Sequence, residues 1–374
     1  MRFTLSSSTL SSRLLTLSKV INSKNSLAIL DCFLFEVANQ QLSVTASDSE
    51  NIIKTIIPLD ECEGEGVFAV NSQTVLSAVK ELPEQPLIFD VDMSTYAIKV
   101  MYQNGIYRFT AQNAEQYPVT PTLPDGVTTL SIPSAMLSEN ITRSIFATAT
   151  EELRPVMNGI FFDLTPDALA MVASDGHKLV RNKIFIVKSE VPTSFILPKK
   201  PANLLKNILE KDDSDVIIRF DDRNAEIIFG ENKLLCRLIE GRYPNYNSVI
   251  PQNNPNELNI DRKILIGALR RVLPFASDSS LLVRLHLETG KMEISSEDID
   301  FATSAKEEIA CDYTGNAMNI GFKGPSLVEI LNNLNCDQVT LLLADPSRPC
   351  LIIPAEQPEN QDILMLIMPM LLND

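Results

Sequence analysis

Ser174, Asp175 and His177 fall within four consecutive positions of the stretch Ala173-Ser174-Asp175-Gly176-His177-Lys178-Leu179. A hydroxyl, a carboxylate and an imidazole are the groups of nucleophilic acyl transfer, but tertiary geometry aligns them, normally from separate parts of a chain. Adjacent in sequence, with Gly176 directly after Asp175, they read instead as a turn between strands. The other histidine, His286, sits in the alternating run Val283-Arg284-Leu285-His286-Leu287 and reads as a strand residue. No glycine-rich phosphate loop, zinc spacing or His-Glu-x-x-His is found. Cys32, Cys62, Cys236, Cys311, Cys336 and Cys350 are scattered without paired spacing and read as free cytosolic thiols. These residues give an expectation of no catalytic residue, no metal and no cofactor.

The elements that must position this turn explain it better than catalysis does. Met171-Val172-Ala173-Ser174-Asp175 repeats Val44-Thr45-Ala46-Ser47-Asp48, and Ile294-Ser295-Ser296-Glu297-Asp298 repeats both. The flanks keep the same period. An apolar strand followed by an amphipathic helix begins at Phe3, at Leu130 and at Leu258, and a second such pair at Phe68, Phe195 and Ile320. A period of about 125 residues held at several landmarks means a triplicated domain, far longer than the roughly 20–50 residues of a solenoid repeat. Asp48, Asp175 and Asp298 then lie one per domain, where a shared turn accounts for them better than an acid–base pair.

Each unit reads as α+β, with two helices packed on antiparallel sheet. Helical spacing is carried by Leu10, Leu14 and Leu17, by Leu137, Ile141 and Ile145, and by Leu265, Leu269 and Val272. Pro-rich connectors at Tyr117 to Pro124 and at Ile250 to Pro255 divide the chain into 1–124, 125–254 and 255–374. The polar start of the chain offers no signal peptide. The longest apolar run, Ile363 to Leu372, is too short to span a bilayer, so a cytoplasmic protein is expected.

Charge is unevenly placed. The chain carries a net −16, which speaks against a polyanion as partner. Yet the six repeat helices and their ends hold Arg13, Lys19, Lys80, Arg143, Lys199, Lys200, Lys206, Arg262, Lys263, Arg270, Arg271 and Lys323 against only Glu81, Glu139, Asp261 and Glu329. If these helices share a face, that face is basic on an acidic body and suits phosphates held without base reading. A lysine-rich helix face also serves solubility alone, and the charge pattern leaves both readings open.

The whole length of the chain resembles the bacterial sliding clamps, the beta subunits of DNA polymerase III. The resemblance rests on the triplication and on three landmarks in order: Ala173 to Leu179, Leu238-Ile239-Glu240-Gly241-Arg242-Tyr243-Pro244-Asn245-Tyr246, and the terminal Met368-Pro369-Met370. It implies three topologically similar clamp domains and a head-to-tail homodimer closed into a ring around duplex DNA. Helices would line the hole and sheets the outside. The implied role is that of a non-enzymatic processivity factor. It would slide without sequence specificity and tether the catalytic subunit of the replicative polymerase, the clamp loader and repair proteins by short peptides.

The resemblance also implies site residues. A peptide groove would comprise Met157, Ser174, Gly176, His177, Lys178, Leu179, Pro244, Val249, Pro349, Ile367, Met368, Pro369 and Met370. DNA contacts would come from Arg13, Lys19, Lys24, Lys80, Lys199 and Lys200, each of which also reads as an ordinary solvated cation. The dimer contact would pair Arg108 and Phe109 with Pro274 and Phe275, and Glu297, Asp298 and Asp300 would supply counter-charges. Phe275 reads equally as a core residue. The apolar terminus reads either as a final buried strand or as groove, and Pro369 within it argues against a central strand.

Departures from the family pattern stand at Gln73, at Pro155-Val156 in place of an aromatic pair, at Leu371 in place of a basic residue, and in the added Asn373-Asp374. They bear on the DNA contacts and on the groove rim. Two rival readings are a triplicated protein that assembles without DNA, and an enzyme built on the Asp175/His177 turn.

Overall fold

The computed structural model describes residues 1–151, 153–209 and 214–372; Asn373 and Asp374 lie outside the described residues. The first repeat runs β1 (Arg2–Ser6), α1 (Ser7–Ser18), β2 (Cys32–Ala38), β3 (Gln41–Ser47), β4 (Asn51–Pro58), β5 (Glu61–Glu63), β6 (Gly66–Asn71), α2 (Ser72–Val79), β7 (Pro86–Asp92), β8 (Ala97–Tyr102) and β9 (Gly105–Thr110). The second runs β10 (Thr128–Pro133), α3 (Ser134–Ile145), β11 (Gly159–Leu164), β12 (Leu169–Ser174), β13 (Lys178–Ile184), β14 (Thr193–Pro198), α4 (Lys199–Ile208), β15 (Asp215–Phe220), β16 (Asn224–Phe229) and β17 (Asn232–Arg237). The third comprises β18 (Asn256–Asp261), α5 (Arg262–Val272), β19 (Leu282–Glu288), β20 (Lys291–Asp298), β21 (Thr303–Ala310), β22 (Asp312–Tyr313), β23 (Met318–Lys323), α6 (Gly324–Asn332), β24 (Gln338–Leu343), β25 (Cys350–Pro354) and β26 (Gln361–Ile367).

Strands pass into helices without a loop because the last strand residue is also the cap. Ser6 accepts from the N–H of Thr9, Asn71 from Thr74 and Asp261 from Ile264, each filling one of the unpaired donors of a helix start. The apolar stripes then turn inward: Leu10, Leu14 and Leu17 in α1, and Leu265, Leu269 and Val272 in α5, are buried. Each such side chain contributes roughly 1.5–3 kcal/mol on leaving water.

Packing groups the chain differently from the repeat. One compact unit comprises residues 1–137 with 204–238, the other 138–203 with 239–374. In the first unit a sheet of order β5-β1-β7-β8-β9 stands beside one of order β10-β15-β16-β17-β4-β3-β2-β6. The second unit holds β14-β11-β12-β13-β26-β25-β24-β18-β22 and β21-β20-β19-β23. Two of these sheets therefore run through a seam where strands of different repeats pair.

The seams share one register. Leu234 lies opposite Ile53 and Cys236 opposite Asn51 in the β17–β4 seam. Met365 lies opposite Val180 and Ile367 opposite Lys178 in the β26–β13 seam. Val180 follows the Asp175 turn as Ile53 follows the Asp48 turn, so equivalent residues meet equivalent residues. The repeat also reproduces a clasp behind the last strand of each unit. Gln112 bridges Ala69, the N–H of Ile239 donates to the carbonyl of Ile196, and Met370 bridges Gly321.

The terminal apolar run is both of the things its sequence allowed. Up to Ile367 it is a central strand, paired on both sides, contrary to the demotion inferred from Pro369. Pro369 falls two residues beyond the strand's last residue, Ile367, where no ladder hydrogen bond is asked of it.

Candidate functional site

Asp175 organises the turn that joins β12 to β13. Its Oδ1 accepts the backbone N–H groups of His177 and Lys178, both at 2.9 Å, and its Oδ2 lies 2.9 Å from Lys178 Nζ. Asp48 Oδ1 does the same for Glu50 and Asn51, and Asp298 Oδ1 for Asp300 and Phe301. Ser174 Oγ donates to the carbonyl of Lys178 at 2.8 Å and accepts from the N–H of Gly176 at 3.1 Å. The hydroxyl and the carboxylate thus serve the turn, and the repeated aspartate is a turn former in every unit.

Gly176 holds the turn open in the left-handed region at φ +91°, where a side chain would be strained. A Cβ there would also come within 3.0 Å of the Arg154 guanidinium. Burial raises the Asp175 carboxyl, but hydrogen bonds from the Lys178 ammonium and from the N–H groups of Lys178 and His177 outweigh it and hold the group below the usual aspartate value. Lys178 answers in kind. Desolvation lowers it, and Asp175 with Glu329, 3.3 Å away, raises it above the ordinary lysine value. Its Nζ also stands 5.9 Å from the centre of the Phe146 ring.

Beside this turn lies a cavity of about 480 Å³ lined by Arg154, Met157, Ser174, Gly176, His177, Lys178, Leu179, Tyr243, Pro244, Asn245, Tyr246, Val249, Leu366 and Met368. Its wall is rigid. Tyr243 stacks on Phe161 with ring centres 4.7 Å apart, and Tyr246 donates its hydroxyl to Asp163 Oδ2 at 2.8 Å. Burial pushes both phenols well above the ordinary tyrosine value. The floor belongs to a buried cluster containing Val172, Leu179, Ile250, Leu364 and Leu366. Such a cleft, apolar below with a few polar groups at the rim, suits one or two large apolar side chains of a partner segment. Met368 and Val249, both exposed at its mouth, make the apolar rim, and methionine lets it adapt to several partners.

Most of the expected groove residues converge here: Met157, Ser174, Gly176, His177, Lys178, Leu179, Pro244, Val249 and Met368. Ile367, Pro349, Pro369 and Met370 do not line the cavity. In β26, Leu364 and Leu366 face the cavity floor, while Ile363, Met365 and Ile367 face the opposite core with Val180 and Leu285. Side chains alternate along a strand, so Ile367 points away from the cleft that its neighbour lines. Met370 is the third-unit clasp, donating its N–H to Gly321. Pro349 presents its carbonyl to Asn254 Nδ2 at 3.1 Å. Sequence reasoning missed Arg154, Tyr243, Asn245, Tyr246 and Leu366. The tyrosines belong to the landmark run Tyr243-Pro244-Asn245-Tyr246, and strand alternation would have chosen Leu366 over Ile367.

Among the expected DNA contacts, Lys19, Lys24 and Lys80 are exposed, and Arg13, Lys199 and Lys200 are half-buried. Lys19 Nζ donates to the carbonyl of Asn207, and Lys80 stands 3.6 Å from Glu81. Three of the helical cations are tied up in the fold. Arg143 is buried and hydrogen-bonded to Asn140 and Gln361. Arg262 donates to the carbonyls of Leu331 and Cys336 at the end of α6. Arg271 pairs with Glu307. The basic surplus of the helices is therefore smaller at their surface than in their sequence.

Of the expected dimer residues, Arg108 is exposed and Phe109 partly so, on β9 at the open edge of its sheet. Phe275 is 39% exposed, beside Pro274 on a short 3-10 turn packed against β21. Phe275 is thus not a core residue. Glu297 and Asp300 are exposed, and Asp298 is buried with its Oδ1 engaged by its own turn.

Comparison with known proteins matches this chain along its length. Family models of the DNA polymerase III beta subunit match in order: the N-terminal domain over residues 1–121, the central domain over 131–245 and the C-terminal domain over 247–371. The chain is 27% identical over 373 residues to the beta sliding clamp of Pseudomonas putida, covering 99% of this chain and 100% of that one. It is 25% identical over 372 residues to the beta sliding clamp of Escherichia coli K12, again covering 99% and 100%. Crystal structures of the DNA polymerase III beta subunit from Pseudomonas aeruginosa and from Thermotoga maritima superpose with TM-scores of 0.93 and 0.89, each at 25% identity and covering 100% of both chains.

Proposed function

The chain belongs to the family of DNA polymerase III beta subunits and works as a processivity clamp of the replicative polymerase; we propose that two copies close into a ring around duplex DNA and hold partner peptides in the cavity beside Met368. The clamp has no reaction of its own and needs no cofactor. Its domains divide near residues 124 and 254, so that two copies contribute six to the ring.

One observation carries the ring. The seam register is the same at β17–β4 and β26–β13, and among the described residues the pattern leaves one strand of each kind at an open edge, β9 and β21. β9 is the counterpart of β17, since both follow a two-residue turn, between Tyr102 and Gly105 and between Phe229 and Asn232. β21 is the counterpart of β4 and β13, following Asp298 as they follow Asp48 and Asp175. An open edge of this kind invites a strand from elsewhere. Applied to the open edges, the register sets Tyr107 of one copy opposite Ala305 of the other and Phe109 opposite Thr303. A head-to-tail contact repeated once closes a ring.

The neighbourhood supports that pairing. Phe109 is partly exposed although its counterparts Cys236 and Ile367 are buried at 1% and 2%. Phe275 waits beside β21 to cover it. Arg108 then stands opposite Ser304, whose cross-strand partner is Glu297, so a cation and an acid share one face with a small serine between them.

Duplex DNA is held by enclosure, with Lys24, Lys199 and Lys200, and more weakly Arg13, Lys19 and Lys80, meeting phosphates through mobile contacts. Contacts of this kind bind without sequence preference and permit sliding. The peptide cavity takes apolar anchors from the polymerase, from the loader and from repair proteins in turn.

Light scattering combined with a retention assay tests the reading. Twice the chain mass, with loader-dependent retention on nicked circular plasmid and run-off once it is linearised, is the expected result. A monomer, or retention indifferent to free ends, defeats it.

A further inference from the structure

The turn after β20 is longer than its two counterparts and is the apolar one. Six residues, 298–303, separate Glu297 from its cross-strand partner Ser304, whereas four separate Ser47 from Ile52 and Ser174 from Leu179. The exposed positions of the shorter turns hold Ser49-Glu50 and Gly176-His177. Here they hold Ile299 at 84% exposure and Phe301 at 77%. Large apolar side chains held this far into water on an ordered turn mark a contact surface. The turn is ordered, because Asp298 Oδ1 accepts the N–H groups of Asp300 and Phe301 at 3.0 and 3.2 Å.

The two intact seams say what this turn should meet. In each, a turn carbonyl accepts the N–H of the first residue past the paired strand: Arg237 donates to Glu50 at 3.2 Å and Met368 donates to His177 at 2.8 Å. Counted from Ser304 as Glu50 and His177 are counted from Ile52 and Leu179, the equivalent carbonyl is that of Ala302. Counted from Phe109, the equivalent donor is Thr110 of a second copy. Phe301 then arrives beside a cavity of about 400 Å³ over Asp92, Ala97, Lys99, Arg108 and Thr110. Ala97 and Thr110 are cross-strand partners at the end of the β8–β9 hairpin, and their small side chains leave the room. Lys99 and Arg108 on its rim are balanced by Asp90 and Asp92, so the charges of the seat cancel and its open floor is what receives an apolar side chain.

We propose that Ile299 and Phe301 form an apolar latch between two copies of the chain, seated over Ala97 and Thr110 of the neighbouring copy. The inference rests on the ring reading above and goes beyond it. It assigns to an added turn a share of ring closure that strand pairing alone does not supply. Opening of the ring at one seam then requires this latch to leave its seat.

The test is the monomer–dimer equilibrium of the full chain, followed by sedimentation and by exchange of labelled subunits. Phe301→Ala and Ile299→Ala are surface changes, and unaltered thermal unfolding of the monomer confirms the fold. Each is expected to weaken the dimer by about tenfold or more and to speed subunit exchange, as removal of an apolar anchor from its seat should. Filling the seat with Ala97→Gln should weaken it similarly and add little to Phe301→Ala, because both disable the same latch. Dimers that remain as tight as the unaltered chain in all three variants overturn the latch while leaving the ring standing. An unaltered chain that is monomeric at every concentration overturns both.

Discussion

Met368 donates its backbone N–H to the carbonyl of His177 at 2.8 Å, so the end of the last strand is pinned to the turn that bounds the cavity proposed to take partner peptides. The bond repeats that between Arg237 and Glu50 in the first seam. The seams therefore have a common frame, and at the second the loop carrying Tyr243 to Val249 walls in the strand end to form a cleft.

Leu366 and Ile367 are neighbours with opposite duties. Leu366→Ala should enlarge the cavity floor and weaken binding of an apolar partner peptide by about tenfold, with modest loss of stability. Ile367→Ala should cost about 2–4 kcal/mol of stability, as buried truncations do, and leave peptide affinity nearly unchanged in whatever fraction stays folded. Fluorescence polarisation with a labelled peptide and chemical denaturation separate the two.

Ending the chain after Ile367 should abolish peptide binding and leave the fold intact. The truncation removes Met368 and the Met370 clasp on Gly321 but keeps the paired strand. Loss of the clasp and of the Met368 bond to His177 removes two net hydrogen bonds, about 2 kcal/mol together at about 1 kcal/mol each. Collapse of the fold on this truncation would show that the tail holds the third unit together.

Acid should loosen the cavity turn. The Asp175 carboxyl is held below its ordinary 3.8, so it stabilises the folded turn fully above that value and loses the contribution as pH falls through the lowered folded value. Asp175→Asn should destabilise the chain by about 2 kcal/mol at neutral pH, the worth of charged hydrogen bonds. The gap between variant and unaltered protein should close on acidification below 3.8. Unfolding measured from pH 7 downward checks the sign, since a gap widening in acid contradicts it.

Arg143 and Lys199 should separate structure from DNA contact. Arg143→Ala leaves a buried polar network around Asn140 and Gln361 unsatisfied and should lower stability by about 2–3 kcal/mol, without altering how binding depends on salt. Lys199→Glu should leave stability nearly unchanged and reduce the slope of binding against salt by about one, for the phosphate no longer neutralised. Binding to DNA over a salt series distinguishes them.

Charge exchange across the open edges tests their register. Arg108→Glu should weaken the dimer, and adding Glu297→Arg should restore much of the loss. Sedimentation of both variants and their combination gives the coupling, and an absence of rescue places Arg108 elsewhere.

The sequence by itself determined the triplication, the strand-to-helix junctions and the Asp turn, because each depends on local pattern: alternation, helical spacing, a cap or a turn residue. Helix after strand at Phe3, Leu130 and Leu258 needed no tertiary knowledge. Most of the cavity was reached through the family resemblance, carried by the contiguous run Ser174 to Leu179 and by the run that holds Pro244. What only the tertiary structure decided is non-local. Whether Leu366 or Ile367 faces the cleft depends on which core each side of β26 meets. Whether Arg143 reaches solvent depends on Gln361, far along the chain. The seams belong to the same class: β17 finds β4 and β26 finds β13 across repeats, and no periodicity within one segment specifies the strand with which its edge will pair.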